Sequence, residues 1–349
     1  MKAVVFTLGC KVNECESESL IAGLKKRGYE VSDKLGKADL YIINTCAVTA
    51  EAEKKSRQAA SRIKKLNPNA KAVFTGCAAE KNYKAFADKS SAYLITGVFN
   101  KNAILDALDK SGVMIAEQSE KYEELPAPLS LKARAFIKVQ DGCNSFCTYC
   151  IIPHLRGRSR SRAPEKVRAE IEGLKCSEAI ITGINLSDYR YENTDFAGLI
   201  TALKGVNARI RLGSLEARVI DDRLLTALKN LNNFAPHFHL SLQSGADAVL
   251  KKMNRKYTRE EFIEKVALIR KYFPLAGITT DIIAGFPTET EEAFLETLSI
   301  IDEVKFSDIH PFSFSPRRGT PAYKMPDLPP EVKKARLNRL IETKKRLKL

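Results

Sequence analysis

The sequence predicts two α/β units in tandem: an N-terminal doubly wound parallel sheet, then a partial, open (β/α)6 barrel. Three observations carry this prediction. Strand-like and helix-like segments alternate through the first hundred residues. A polar stretch with two prolines, "AEQSEKYEELPAPLSLKA", interrupts them at 116–133 and reads as a linker. A second series of six strand–helix units follows it. The expected organisation is residues 1–115, the linker 116–133, a barrel over 134–330 and a basic helix over 331–349.

In the first unit, "KAVVFTLGC", "ADLYIINTC", "AKAVFTGC" and "AYLITGV" are the apolar, β-rich runs. Between them, "ECESESLIAGLKKRGYE" has helical spacing at Leu20, Ile21 and Leu24 and a stop at Gly28. "EAEKKSRQAASRIKKLNP" is a basic helix closed by Pro68, and "NKNAILDALDKSG" is a further helix. In the second unit the strands are "RAFIKVQ", "EAIITGI", "RIRLGSL", "HFHLSLQS", "GITTDIIAGF" and "DIHPFSFS". The helix "TREEFIEKVALIRKYF" opens with a capping box, Thr258 to Glu261. The final basic helix is expected to cap the barrel through Leu337, Leu340 and Ile341, with contact to nucleic acid as the competing role.

At 349 residues, 44% hydrophobic and 28% charged, the chain is long enough for two cores. Its apolar runs are too short to span a bilayer, and that in "MKAVVFTLGC" is shorter than the roughly seven residues of a secretion signal core. The expected location is therefore the cytoplasm. In that reducing compartment clustered cysteines more often bind metal or do chemistry than form disulfides. The net charge of +15 suggests a polyanionic partner.

The eight cysteines sort into two trios and two spares, Cys15 and Cys176. Cys10, Cys46 and Cys77 each follow the last apolar residues of a predicted strand. The carboxyl ends of parallel strands share one edge, where ligands bind, so these three are expected to converge on a metal site. Three buried core cysteines is the competing reading. The second trio, Cys143, Cys147 and Cys150, has C-x3-C-x2-C spacing in "QDGCNSFCTYCIIPHLRGRSRSR", directly after the first barrel strand. With His154 it has four candidate ligands for a structural zinc. With three thiolates alone it suits an iron–sulfur cube, one of whose irons keeps an open site.

The spacing, with the aromatic Tyr149 before the last cysteine, resembles the signature of radical S-adenosylmethionine (SAM) enzymes. The stretches "QDGCNSFCTYCIIP", "RGRSRSR", "RLGSLEARVIDD", "HFHLSLQSGAD", "LKKMNRKYT" and "TTDIIAGFPTETEEAF" resemble the methylthiotransferases of that superfamily. They are most similar to those acting on threonylcarbamoyladenosine in tRNA. The resemblance spans nearly the whole chain. It implies a radical SAM barrel and two 4Fe-4S clusters, one on Cys143, Cys147 and Cys150 and an auxiliary one on Cys10, Cys46 and Cys77. The first would bind and reductively cleave SAM, and the resulting radical would remove hydrogen from carbon 2 of adenine. The second would supply sulfur, and another SAM the methyl group. The chemistry would thus be carried by the clusters and SAM rather than by a catalytic side chain.

For SAM, the resemblance and the barrel positions together point to Tyr149, Gly183, Asn185, Glu216 and Gln243. Gly183 is expected to allow close approach of the SAM amino group, with Asn185 beside it. Glu216 is expected to accept from the ribose, with a surface salt bridge as the alternative. Gln243 closes the fourth strand, and Gly285 to Pro287 shape the adenine pocket or form a plain turn. Arg156, Arg158 and Arg160, with Arg162, are expected to line the mouth of the site and hold tRNA phosphates or the SAM carboxylate. His154 is expected to be structural. The implied partners are tRNA and an electron donor such as flavodoxin or ferredoxin, with no membrane. Two other functions compete: methylthiolation of a ribosomal protein aspartate, and a zinc-stapled nucleic-acid-binding module without catalysis. Members of the family usually end in a small β-barrel RNA-binding domain, the TRAM domain. This sequence stops at Leu349 after the basic helix, so that domain is either absent or truncated.

Overall fold

The computed structural model describes residues 1–87, 92–128, 133–174 and 176–347. The first unit is a six-stranded sheet, parallel throughout. Its spatial order is Glu30–Ser32, Lys2–Thr7, Leu40–Thr45, Lys71–Gly76, Ala92–Thr96, Gly112–Met114. The central strands are apolar in nearly every residue because helices cover both faces: Val5, Ile42, Ile43, Val73 and Phe74 are fully buried. The two edge strands, Glu30–Ser32 and Gly112–Met114, are short and largely exposed. Glu30–Ser32 has a single apolar residue and Gly112–Met114 belongs to an apolar run of only four, Val113 to Ala116, too short for the sequence pattern to register. "NKNAILDALDKSG" forms only a short helix, Asn102–Asp106, before the chain turns into the Gly112 strand.

Strand order reverses between Lys2–Thr7 and Leu40–Thr45. Such a switch point opens a crevice at the carboxyl ends of the strands. Cys10 and Cys46 follow these two strands, and Cys77 follows the next one over.

The second unit is a six-stranded parallel arc: Arg134–Lys138, Glu178–Thr182, a broken third strand, His237–Leu240, Gly277–Ala284 and Asp308–Ser313. The third strand divides at Gly213 into Arg209–Leu212, which pairs with Glu178–Thr182, and Ser214–Leu215, which pairs with His237–Leu240. Gly213 donates its N–H to the Ile181 carbonyl at 2.8 Å, and a Cβ there would stand 2.9 Å from that same oxygen. The predicted outer helices form, including Arg259–Tyr272 with its Thr258/Glu261 capping box. One large core, with Phe238, Leu240, Ile278 and Ile282 in it, fills the space between strands and helices.

Both free edges of the arc are covered, as exposed edges must be to prevent stray pairing. The C-terminal helix Pro330–Arg346 packs along the last strand, burying Leu340 and partly Leu337 and donating from Lys344 to the Ile309 carbonyl. Ile341 is a correction: it points away from that contact and is 37% exposed. The N-terminal helix Lys11–Lys26 lies on the first barrel strand, where the Cys15 thiol meets the Phe136 carbonyl at 3.3 Å. Burial pushes the Cys15 thiol well up, so it keeps the proton it donates. The stretch read as a linker is fastened rather than loose: Tyr122 donates to the Lys138 carbonyl, Glu123 accepts from the Asn102 N–H and Glu124 pairs with Arg162. Residues 129–132 of it lie outside the described residues. Among the described residues, no helix is long and apolar enough to cross a membrane.

Candidate active site

The barrel trio sits in a loop tied at its base. Gln140–Asp141 pair antiparallel with Arg160–Ser161, and Cys143 N–H donates to the Gly157 carbonyl. Gly142 enters the loop at φ +71°, and a Cβ there would lie 2.0 Å from the Arg158 carbonyl oxygen. Only glycine passes between these strands. N–H groups then converge on the sulfurs. Ser145 N–H lies 3.4 Å and Asn185 Nδ2 3.7 Å from Cys143 Sγ, and Arg255 Nη1 is 3.3 Å from Cys147 Sγ.

The segment "LKKMNRKYT" clamps this loop. Thr148 bonds the Met253 and Lys252 carbonyls, and Asn254 donates to the Ser145 and Phe146 carbonyls. Arg255 is a neighbour of the cysteine loop that sequence reasoning missed. The motif containing it resembled the family, but nothing in its spacing indicated a sulfur partner 108 residues away.

The auxiliary trio assembles from three loops. Cys10 precedes the helix Lys11–Lys26, Cys46 follows Thr45, and Cys77 opens the short helix Cys77–Lys81. Gly76, at φ +91°, lets the third loop cross the second: a Cβ would lie 2.5 Å from Asn44 Oδ1 and 2.6 Å from the Thr45 carbonyl oxygen. A Cβ on Gly9, at φ +112°, would lie 2.8 Å from Cys46 Cβ. Val48 N–H lies 3.5 Å from Cys46 Sγ, and Arg156 Nε lies 3.4 Å from Cys77 Sγ.

Burial raises the thiols of Cys46, to about 11, and of Cys77, where Arg156 opposes it. It likewise raises Cys143 and lifts Cys150 to about 12, with the neighbouring Cys147 adding to the rise. These sulfurs are desolvated yet surrounded by N–H donors, an environment that suits metal-bound thiolates. Among the described residues, no three His, Cys, Asp or Glu side chains gather tightly enough to hold a single ion. Three thiolates in each trio match the ligand set of a four-iron cube that keeps one iron open. His154 is exposed, its ring edge-on to Phe146 at 5.9 Å.

The two sites adjoin. The helix Ile152–Arg156, which begins two residues after Cys150, packs on Cys77–Lys81. Ile151, Ile152 and Leu155 complete the apolar core of the N-terminal unit, and Cys150 rests against it.

Comparison with known proteins agrees with this architecture. Residues 137–301 match the Radical SAM superfamily, and residues 2–97 match the uncharacterized protein family UPF0004. The chain is 40% identical to threonylcarbamoyladenosine tRNA methylthiotransferase MtaB of Bacillus subtilis, over 98% of its own length and 80% of the relative's. It is 37% identical to tRNA-2-methylthio-N(6)-dimethylallyladenosine synthase of a Thermoanaerobacter species, over 98% and 78%. The chain belongs to the radical SAM methylthiotransferases. Among solved structures, the radical SAM methyltransferase TsrM of Kitasatospora setae superposes with a TM-score of 0.68 over 92% of this chain and 76% of its own, at 14% identity. At that identity the likeness is one of fold.

In this methylthiotransferase Asn185 and Glu216 stand with the cysteine loop. Asn185 Nδ2 donates to Ser145 Oγ at 3.2 Å, and Ser145 Oγ donates to Glu216 Oε1 at 3.0 Å. Glu216 also meets Arg218 at 2.7 Å and Arg255 at 3.2 Å. Burial opposes its ionisation, but Arg255 and Arg218 outweigh that and hold the carboxyl below its ordinary value. Gln243 has a left-handed backbone, φ +71°, and bridges to the fifth strand through Asp281 and Ile283. Such an outlier in a side-chain-bearing residue occurs where surrounding structure enforces it, often at ligand sites.

Three further site candidates have close neighbours within the protein, and the reading of the arginine series needs correction. Gly183 makes room for Gln140, whose Oε1 would be 2.8 Å from a Cβ. Tyr149 packs edge-on to Phe286 in an apolar cluster. Gly285 admits the C-terminal helix, with Lys333 Cγ 2.4 Å from a Cβ position. Arg156 and Arg160 do not line a mouth. Both are buried, Arg156 completely, because Glu16 and Asp141 draw them inward. Arg162 pairs with Glu124 and Glu170. Arg158 is exposed and rests its guanidinium over Phe146 at 4.5 Å.

Proposed function

We propose that this enzyme inserts a methylthio group at carbon 2 of threonylcarbamoyladenosine beside the tRNA anticodon. The supporting observation is the pair of cysteine trios on two adjoining domains, in a chain 40% identical to an enzyme named for that nucleoside. Cys143, Cys147 and Cys150 would hold one 4Fe-4S cluster and Cys10, Cys46 and Cys77 the other. When bound, these groups and SAM supply the radical, the sulfur and the methyl group.

The chain's own residues bind, orient and exclude water. Ser145, Asn185 and Arg255 direct N–H groups at the barrel sulfurs. Glu216 stays ionised between Arg218 and Arg255, where it keeps the Cys147 donor in place and offers acceptor oxygens toward a SAM ribose. Gln243 contributes its amide from a fixed, strained turn. Arg158 is the member of the arginine series that meets solvent, so it is the one to hold a tRNA phosphate. An electron donor such as flavodoxin or ferredoxin completes the system, and the cytoplasm is the expected site of action.

The relatives named for dimethylallyladenosine supply a second reading, at 37% identity. Mass spectrometry of tRNA nucleosides from cells with and without the gene decides. Loss of 2-methylthio-threonylcarbamoyladenosine alone is expected. Loss of the dimethylallyl counterpart, or of a methylthio-aspartate on a ribosomal protein with tRNA unchanged, overturns the assignment. A colourless protein with zinc after anaerobic purification would restore the zinc-stapled module.

Arg158→Gln should weaken tRNA binding and reduce the log–log salt slope by about 0.7, the loss of one single-strand phosphate contact. An unchanged slope places the phosphates elsewhere.

A further inference from the structure

A fully buried arginine joins the two cysteine sites. All three Arg156 nitrogens are used. Nη1 pairs with Glu16 at 2.9 Å and Asp141 at 3.0 Å, Nη2 donates to Asn13 Oδ1 at 2.8 Å, and Nε donates to Cys77 Sγ at 3.4 Å. Asn13 and Glu16 lie on the helix that follows Cys10, and Asp141 stands two residues before Cys143. One side chain therefore touches Cys77 and the segments carrying Cys10 and Cys143.

Among the described residues, the charges around it do not balance. Two carboxylates, Glu16 and Asp141, are met at ion-pair distance by four cations. Besides Arg156, Lys101 is 3.2 Å from Glu16, Lys138 is 2.8 Å from Glu16 and 2.7 Å from Asp141, and Arg160 is 3.2 Å from Asp141. Four minus two leaves two positive charges, all in groups at most 10% exposed. Glu80 faces Lys101 only at longer range, its carboxylate turned to the Val98 N–H. A buried surplus of one sign is costly unless the opposite sign faces it. The group within reach of Arg156 that can supply it is the Cys77 sulfur, as a thiolate bound to an iron–sulfur cluster.

We propose that Arg156 is a positioning residue for the auxiliary cluster. Its hydrogen bond to Cys77, with the cation surplus behind it, seats that cluster against the barrel and raises its reduction potential. The inference rests on the two-cluster reading above. Net charge and hydrogen bonds to sulfur are the levers by which a protein sets a cluster's potential. A purely structural ion network would need neither the bond to sulfur nor the excess charge.

The test uses the full chain with Cys143, Cys147 and Cys150 all changed to Ala, so that the auxiliary cluster alone remains. Arg156→Met and Arg156→Lys are added separately, with Arg346→Met on the C-terminal helix as control. Iron per chain, near-ultraviolet circular dichroism and the midpoint potential, followed by electron paramagnetic resonance, are measured anaerobically. The expected result is a potential shifted to more negative values, furthest for Arg156→Met, less for Arg156→Lys and not at all for Arg346→Met. Should Arg156→Met fail to fold, Arg156→Lys decides, since it keeps a charge for Glu16 and Asp141 while losing the fork that reaches the sulfur. An unshifted potential in a folded, iron-containing variant overturns the proposal. Absence of iron already in the parent triple variant overturns instead the two-cluster reading, and the proposal with it.

Discussion

The two cysteine trios bring three thiols together by opposite means. Cys143, Cys147 and Cys150 occupy eight consecutive residues of one loop. Cys10, Cys46 and Cys77 come from three loops, brought together only because three parallel strands end side by side. The local site is held by its own ladder and by the Asn254–Arg255 clamp. The dispersed one depends on the whole sheet. What they share is a glycine at positive φ immediately before Cys10, Cys77 and Cys143. Each turns the chain sharply at a strand end so that the cysteine that follows enters the crevice.

The largest expected effect tests whether the sites divide the labour. Changing Cys143, Cys147 and Cys150 to Ala should abolish reductive SAM cleavage. Changing Cys10, Cys46 and Cys77 should leave cleavage intact and stop sulfur insertion. Iron should fall from about eight to about four per chain in either variant. Equal loss of deoxyadenosine in both would erase the distinction.

Next are the entry glycines. Gly142→Ala should lower iron only at the barrel site and Gly76→Ala only at the auxiliary site, each destabilising the fold by about 1–3 kcal/mol. Iron analysis in the two triple-cysteine backgrounds reads this directly. Iron retained by both glycine variants would show that the loops yield.

The joint between the sites should be acid-sensitive. At Glu16 and Asp141 burial opposes ionisation, but Arg156 and the neighbouring lysines outweigh it and hold both carboxyls well below their usual range. Groups with depressed values stabilise the fold fully above the unfolded carboxylate pKa of about 4 and lose that contribution as pH falls through their own lower values. Tyrosine near-ultraviolet dichroism should therefore hold constant from pH 7 to about 4.5 and collapse only below that. A transition near pH 6 would contradict the ionised pair.

The smallest effect belongs to Cys15→Ser. Serine can still donate to the Phe136 carbonyl, so iron content should match the parent and stability should change by no more than about 1 kcal/mol. Lost iron would place Cys15 among the ligands.

Much of this was legible in the residues. Apolar runs, helical spacing and the Thr258/Glu261 box specify local structure, since each depends on contacts a few residues apart. The six barrel strands and the C-x3-C-x2-C loop followed from those signals. The edge strands Glu30–Ser32 and Gly112–Met114 did not, because a short exposed strand is defined by its neighbour rather than by its own pattern. The arginine series marks the boundary most sharply. Arg156, Arg158, Arg160 and Arg162 are the same residue at even spacing, and nothing in that spacing separates them. Glu16, 140 residues away from Arg156, and Asp141 bury two of them, Glu124 and Glu170 engage a third, and Arg158 meets solvent. Charge along a chain is a property of sequence, but whether a charge faces water, a carboxylate or a sulfur depends on which distant segments the fold brings beside it.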